Sequence, residues 1–154
     1  MDSIDLRILS ALQEDGRLSN QDLADRVGLS PSPCLRRVRA LEKDGVIARY
    51  TAIVSPEKVG LPLTVFVQIR LARHDGDTVR AFEDRILGMD EVLSCHLMTG
   101  DSDYLLNIVT ENLQSYERFM RDKLHAIPGI GAIETSFAFG VIKDSRRLPI
   151  HPAS

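Results

Sequence analysis

Apolar residues recur with a helical period in three segments at the start of the chain. In SIDLRILSALQED, residues 3–15, they form one stripe: Ile4, Ile8, Ala11 and Leu12. The second segment, SNQDLADRVG, begins with Ser19, a good N-cap, and ends at Gly28, which suits the position after a helix. Ala24, one turn before Gly28, lets a following helix cross closely, as a helix-turn-helix requires.

The third helix is predicted from Ser32, as N-cap before Pro33, to the Asp44-Gly45 pair. At 100° per residue, three cations share an arc of about 60° opposite the apolar face; this cationic arc is Arg36, Arg39 and Lys43. Arg37 falls on the flank. The apolar face itself consists of Cys34, Leu35, Val38 and Leu41.

A strand with a polar break is predicted after Gly45, in VIARYTAIVSPEKVG, with a short turn at Pro56-Glu57. Three helices followed by a strand are the element order of a winged helix-turn-helix module. We therefore predict a DNA-binding domain in residues 1–46, a strand and linker in 47–60, and a second domain in 61–154.

The apolar period changes to two from Leu63 onward. LTVFVQIRL alternates strictly, which is typical of a strand with one buried face. Two helices are expected, one with Asp77 as N-cap and Gly88 as its end, the other capped by Asn112. Strands are expected in EVLSCHLMTG, DYLLNIVT and IGAIETSFAFGVIK. This βαββαβ order predicts an α+β ferredoxin-like sandwich, so the fold class is a winged helix-turn-helix followed by that sandwich.

The last strand has one face of small residues, formed by Ser136, Ala138 and Gly140. A solvated face would more typically carry Lys, Glu and Thr. Small side chains allow another surface to approach closely, so we expect the chain to dimerise through this face.

Overall composition favours a soluble globular protein: 44% of residues are hydrophobic, and the net charge is −3. No run approaches a membrane span, and the N-terminus does not resemble a secretion signal. Residues 31–50 nevertheless hold five basic and two acidic side chains. Because charges are screened beyond about 8 Å at physiological salt, this local excess matters more than the total. The cationic arc therefore predicts contact with DNA.

Nothing in the sequence predicts catalysis or a metal site. Cys34 and Cys95 lack CxxC spacing, which favours buried thiols in a reducing, cytoplasmic compartment over a disulfide. Cys95 and His96 are adjacent on a strand and point to opposite faces. Motifs of hydrolases, metalloproteases and nucleotide-binding proteins are absent, and metal-ligand spacing is absent from the four histidines: His74, His96, His125 and His151.

Three stretches together resemble the Lrp/AsnC family of feast/famine transcriptional regulators. They are LSNQDLADRVGLSPSPCLRRVRALEKDGVI, MTGDSDYLL and IPGIGAIETSFAFGVIK. The resemblance covers nearly the whole chain and is closest to the bacterial branch. It implies a regulator of amino-acid metabolism or transport in the bacterial cytoplasm, associated with the nucleoid. It also implies homodimers that close into rings, commonly of four dimers, which gives an octamer.

The resemblance assigns roles to particular positions. The third helix is implied to enter the DNA major groove, so its DNA-binding candidates are Ser32, Arg36, Arg37, Arg39 and Lys43. No cofactor is implied, but a small amino-acid effector is implied to bind between dimers. Its candidate ligands are Gly100, Asp101, Asp103, Tyr104, Leu105, Ser136, Phe137 and Ala138. Leu105 and Phe137 are expected to form an apolar wall that favours an uncharged or aliphatic amino acid.

Two other functions are compatible with parts of the sequence. A metabolic enzyme with an amino-acid-binding sandwich would need a catalytic constellation, which is not found. An architectural DNA-binding protein without an effector is the stronger alternative, because GDSD is also an ordinary turn sequence. A screen for amino-acid binding separates this alternative from the effector-responsive regulator.

Overall fold

The computed structural model describes residues 1–150, and the chain forms two compact units. The first unit holds Met1–Ile53 together with residues 143–150, and the second holds Val54–Ile142. Residues 143–150, which we predicted to belong to the second domain, are thus grouped with the N-terminal helices. The last four residues, including His151, lie outside the described residues.

Three helices form the first unit: α1 (Ser3–Glu14), α2 (Asn20–Val27) and α3 (Pro31–Lys43). The predicted ends of α2 are confirmed, because the Ser19 hydroxyl accepts from the Asp22 N–H and Gly28 has a φ of +75°. The predicted start of α3 is wrong by two residues. Ser30 is its N-cap and Pro31 its first residue, since Pro31 fits N1 as well as Pro33 would.

The core of the first unit lies where the three helices meet. The predicted apolar stripe of α1 and the core face of α3 are buried at Ile8, Cys34 and Leu41, but Leu35 is 37% exposed. The strand predicted after Gly45 is wrong, because no strand occurs in described residues 46–60; only a 3₁₀ turn forms, at Glu57–Val59. A strand needs a neighbouring strand for its backbone groups, and residues 1–150 offer none there.

The second unit is a four-stranded antiparallel sheet with the order β2-β3-β1-β4. Its strands are β1 (Leu63–Leu71), β2 (Val92–Leu97), β3 (Tyr104–Thr110) and β4 (Ile130–Phe137). This is the predicted ferredoxin-like arrangement. β4 ends at Phe137, earlier than predicted; beyond it one backbone bond to β1 remains, from the Ala138 N–H to the Thr64 carbonyl.

Two helices cover one face of this sheet: α4 (Gly76–Leu87) and α5 (Leu113–Phe119), the latter continuing as a π-turn at Met120–Leu124. The predicted cap Asn112 is confirmed. The predicted cap Asp77 is wrong. The Asp75 carboxylate caps α4, accepting from the N–H and hydroxyl of Thr78, and these bonds lower the pKa of Asp75 to about 2.

The core of the second unit lies between the helices and the covered sheet face. Every second residue of β1, from Val65 to Leu71, is buried there against Phe82, Leu106 and Leu124. Leu113, which we predicted to be buried, is 63% exposed at the start of α5. The other sheet face, here called the open face, has no helix over it within the second unit. Among residues 1–150, no helix combines the length and the apolar character needed to cross a membrane.

Candidate functional site

The cationic arc lies on an exposed surface of α3. Arg36, Arg39 and Lys43 are all exposed, and within residues 1–150 none of them forms an ion pair. Their charges are therefore not neutralised by the described part of their own chain. An array of unpaired arginines and lysines on one helix face has the chemistry that phosphates and base edges require.

Arg37 has a different environment from its neighbours. Its Nη1 donates to Asp2 Oδ2 and to Asp5 Oδ1, at 2.8 Å each. The same two carboxylates form the capping box of α1, and the Asp5 N–H and Arg37 hold the pKa of Asp2 below its ordinary value. Arg37 thus joins α3 to the start of α1. Although we included it among the DNA-binding candidates, its guanidinium is engaged within the protein.

The turn between α2 and α3 fixes the orientation of the cationic arc. The Leu29 N–H donates to the Ala24 carbonyl at 2.9 Å, which closes α2 over the left-handed Gly28. Asn20 Nδ2 donates to the Pro31 carbonyl at 2.9 Å and so joins the first turns of α2 and α3. Ser32 lies in this exposed first turn of α3, where its hydroxyl is available to a ligand.

The predicted effector loop, residues 100–105, is the β2–β3 connection and the first two residues of β3. The Met98 N–H donates to the Asp103 carbonyl at 2.8 Å, which closes the turn. Gly100 has a φ of +109°, a backbone conformation that other residues rarely adopt, so the turn requires glycine. Asp101 is exposed, and no hydrogen bond to its side chain occurs within the described chain.

Asp103 is engaged within the second unit through both carboxylate oxygens. Oδ2 accepts from the buried Leu71 N–H at 2.7 Å, and Oδ1 is 2.8 Å from His74 Nε2. The Leu71 N–H and then His74 lower the pKa of Asp103, so it is ionised at neutral pH. Asp103 therefore holds the effector loop against the end of β1, and each of its carboxylate oxygens already has a partner within the chain.

The strand alternation separates the remaining effector candidates. Tyr104 is buried on the helix side, where its ring packs on Phe82 and its hydroxyl donates to Glu83 Oε1 at 2.9 Å. Burial and this bond raise the pKa of Tyr104 to about 12. The Tyr104 side chain is therefore not available to an effector on the open face.

The apolar wall that we predicted from Leu105 and Phe137 does not form within one chain. Leu105 pairs with Gln68 and belongs to the open face. Phe137 pairs with Val65 and lies on the helix side, with its ring 5.4 Å from that of Tyr116. Ser136 and Ala138 alternate with Phe137 and therefore point to the open face. Only some of the predicted effector residues thus lie on the same surface.

The open face instead forms a cleft beside the effector loop, with a volume of about 330 Å³. This polar cleft is lined by Gln68, Arg70, Asp101, Ser102, Ala132, Ile133 and Glu134. We predicted from the sequence that Asp101 lies near an effector, but we did not predict Arg70 or Glu134. The alternation of side chains along β1 and β4 predicts that Arg70 and Glu134 both lie on the open face. Only the pairing of β1 with β4 brings the two residues together.

The cysteines do not form a shared site. Cys34 is buried in the first unit, where burial raises its pKa, as predicted; the prediction of a buried thiol is wrong for Cys95, which is exposed in the second unit, on the edge strand β2. The strand register places Cys95 opposite Leu106 and His96 opposite Leu105, so the predicted opposite orientations are confirmed. Within residues 1–150, no three His, Cys, Asp or Glu side chains cluster as metal ligands.

A helix-turn-helix with an exposed cationic arc, followed by an α+β domain with a polar cleft, defines a DNA-binding regulator with a ligand-binding domain. Two family models match in that order: a winged helix-turn-helix DNA-binding model over residues 1–48 and the Lrp/AsnC ligand binding domain over residues 64–148. The chain belongs to the Lrp/AsnC family, as its motifs indicated.

Individual relatives agree with this assignment. The Bkd operon transcriptional regulator of Pseudomonas aeruginosa is 46% identical over 138 residues, 90% of each chain. The leucine-responsive regulatory protein of Escherichia coli K12 is 41% identical over 97% of this chain and 92% of its own. A Neisseria meningitidis transcriptional regulator, solved as an L-Met complex, is 40% identical with a TM-score of 0.93, covering 97% and 96% of the two chains. These relatives are regulators, which confirms the prediction that the chain is not an enzyme.

Proposed function

We propose that this regulator responds to a small amino acid bound in the polar cleft and that it acts on chromosomal DNA in the bacterial cytoplasm. The observation that carries the proposal is the charge pattern of the cleft. Arg70 offers a donor for an α-carboxylate, while Asp101 and Glu134 offer acceptors for an α-ammonium group. A zwitterion needs both charges within a few ångströms, and this cleft supplies both.

The size and apolar lining of the cleft favour a small or aliphatic side chain. A volume of about 330 Å³ lies at the low end of the range for ligand pockets, roughly 300–1,000 Å³. Ala132, which pairs with Arg70 on the open face, provides a small apolar surface in place of the predicted pair Leu105 and Phe137. The relatives point the same way: one is named leucine-responsive and another was solved with L-methionine.

The proposed mechanism also requires an oligomer, in which a homodimer forms through the open face. Three observations support this surface. Phe66 is 39% exposed at its centre, and Ser136 and Ala138 are small enough for close approach. The Asn107 Oδ1 atom is buried without a hydrogen-bond partner within residues 1–150, so a facing surface can supply its donor. We further propose that the homodimer contact leaves the effector-loop end of the open face uncovered, and that dimers assemble into a ring in which a neighbouring dimer covers the cleft there.

DNA control then follows from linkage between the two sites. An effector that binds one assembly geometry more tightly than another shifts the population toward that geometry. The spacing of the recognition helices shifts with it, and so does operator affinity. Arg36 and Arg39 are proposed to contact bases or phosphates, with Lys43 as a further phosphate contact and Ser32 at the helix start.

A thermal-shift screen of the twenty amino acids against the full chain tests the effector. A ligand at a hundredfold its Kd stabilises the native state by about 2.7 kcal/mol, an easily measured rise in Tm. If none of the twenty shifts the Tm, the protein is better described as an architectural DNA-binding protein without such an effector.

Calorimetry on the amino acid found in the screen then locates the site. Arg70→Gln is expected to weaken binding at least tenfold, because the α-carboxylate loses its charged donor. Arg80→Gln is the matched control, since Arg80 is an exposed arginine on α4 outside the cleft. Equal affinities of Arg70→Gln and the control place the effector elsewhere.

Light scattering on the Ala138→Arg variant tests the proposed dimer surface. The variant is expected to be monomeric.

A further inference from the structure

The C-terminal segment, residues 143–150, belongs to the same compact unit as the three N-terminal helices. The chain therefore passes between the two units twice, first after Ile53 and again after Ile142. A DNA-binding module joined by one linker is free to reorient. A second connection restricts this reorientation only if the C-terminal segment is itself bound to the helices. The contacts between the segment and the helices therefore determine whether the module is restricted.

The main chain of the segment is held at Leu148 by one side chain of α1. The Leu148 N–H donates to Gln13 Oε1 at 2.6 Å, and Gln13 Nε2 donates to the Leu148 carbonyl at 3.3 Å. The Gln13 amide thus pairs with both backbone groups of one residue, as a neighbouring strand would. This pairing fixes the position of the segment along α1.

The preceding residue adds a charged contact. Arg147 Nη2 lies 2.7 Å from Glu14 Oε1 and 3.1 Å from Ser10 Oγ, so three side chains of α1 face two residues of the segment. The other oxygen of Glu14 accepts from Arg26 of α2. Glu14 therefore links the C-terminal segment with both of the first two helices.

Polar contacts rather than apolar burial hold the segment. Leu148 is 66% exposed, and Arg147 and Glu14 are partly exposed to solvent. Exposed ion pairs and hydrogen bonds of this kind are individually weak and are lost and remade readily. The contact is thus suited to reversible attachment and does not resemble a permanent part of the core.

We propose that Ser10, Gln13 and Glu14 form a docking site for the chain's own C-terminal segment, and that docking restricts the orientation of the DNA-binding module. In a dimer, two modules held at both connections present their recognition helices at a narrower range of spacings. Docking therefore sharpens discrimination between operators that differ in half-site spacing. It contributes little to binding at a single half-site, because it lies on α1, whereas the cationic arc is on α3.

Hydrogen exchange on the full-length protein tests the docking. The Leu148 amide, which donates to Gln13, is expected to be protected in the wild type and to lose that protection in Gln13→Ala, which changes no charge, and in Arg147→Ala. Arg146→Ala is the matched control for the arginine, since it removes the same charge from the neighbouring position and within residues 1–150 Arg146 makes no ion pair. If the wild-type segment is unprotected, or if all three variants behave alike, the docking site is wrong.

Binding to DNA duplexes selected from a random library on the wild-type protein tests the consequence. Inserting about 5 bp, half a helical turn, between half-sites is expected to weaken wild-type binding about tenfold but Gln13→Ala and Arg147→Ala only about twofold. Arg146→Ala should behave as the wild type. Equal spacing dependence in all proteins, or none in the wild type, overturns the role in spacing. This second measurement rests on the proposed dimer, and light scattering shows whether that proposal has failed instead.

Discussion

The exposed face of α3 and the β2–β3 loop are both rich in polar side chains, but they differ in whether these side chains have bonding partners within the chain. In residues 1–150, Arg36, Arg39 and Lys43 make no ion pair, whereas both carboxylate oxygens of Asp103 and the hydroxyl of Tyr104 are bonded internally. A charged residue type therefore does not by itself mark a ligand contact. What distinguishes the two regions is whether another element of the fold supplies a partner.

The largest expected effect is on DNA binding by the cationic arc. Replacing Arg36, Arg39 and Lys43 by alanine together should cost at least about 3 kcal/mol of operator binding, since a base-contacting arginine contributes roughly 1–3 kcal/mol and phosphate contacts add to it. Fluorescence anisotropy on a selected duplex measures the loss. The control removes three exposed arginines of the second unit: Arg80, Arg85 and Arg118. If both triple variants lose affinity equally, net charge and not the arc governs binding.

A smaller effect is expected in the loop, where Asp103 and Asp101 should separate stability from effector binding. Asp103→Ala leaves the buried Leu71 N–H without its acceptor, which should lower the free energy of unfolding by about 1–3 kcal/mol. Asp101→Ala should leave stability unchanged within about 0.5 kcal/mol and weaken effector binding. Urea denaturation and calorimetry measure the two quantities. Equal stability of the two variants would show that the Asp103 bonds do not organise the loop.

The stabilising effect of Asp103 should also depend on pH in a defined direction. Its pKa is lowered in the folded state from an ordinary value of 3.8, so its contribution is full above that value and is lost as pH falls through the lower, folded pKa. The Tm difference between wild type and Asp103→Ala should therefore be constant near neutral pH and shrink below about pH 4. A Tm difference that grows as the pH is lowered would contradict a stabilising role of the ionised Asp103 carboxylate.

The smallest effect is expected at Arg37, where the comparison is with its neighbour Arg36. Arg37→Ala should lower the Tm, because it breaks the contacts of α3 with Asp2 and Asp5 of α1, whereas Arg36→Ala should leave the Tm unchanged. The opposite order is expected for operator affinity: Arg36→Ala should bind the operator more weakly than Arg37→Ala. Equal effects of the two variants on both quantities would remove the distinction between an internal and a DNA-facing arginine.

Features that depend on near neighbours in the chain were predictable from the sequence. Ser19 and Gly28 bound α2 and Asn112 caps α5, because a cap requires a particular residue type at a fixed offset from the helix. The same rules gave the wrong residue in SPSP and in DGD, where we predicted Ser32 and Asp77 as caps although an equally suitable residue lies two positions earlier. In both places the earlier one, Ser30 or Asp75, precedes the helix.

Features that depend on distant partners were not predictable. The apolar pattern after Gly45 resembles a strand, but within the described chain no neighbouring strand pairs with it. The alternation of β4 continues past Phe137, but after that residue only one backbone bond to β1 remains, from the Ala138 N–H to the Thr64 carbonyl. In both cases the side-chain pattern is compatible with a strand, and backbone hydrogen bonding decides otherwise.

The sequence by itself determined the helix-turn-helix, the alternation of the sheet strands and the cationic arc, because each follows from the period of a single element. Only the tertiary structure decided which charged residues form ion pairs or hydrogen bonds within the chain. Arg37 meets Asp2 and Asp5 across more than thirty residues of sequence, and Asp103 meets Leu71 and His74 across about as many. It likewise brought Arg70 and Glu134 into one cleft. Such pairings arise from packing between elements, and the period of each element does not contain them.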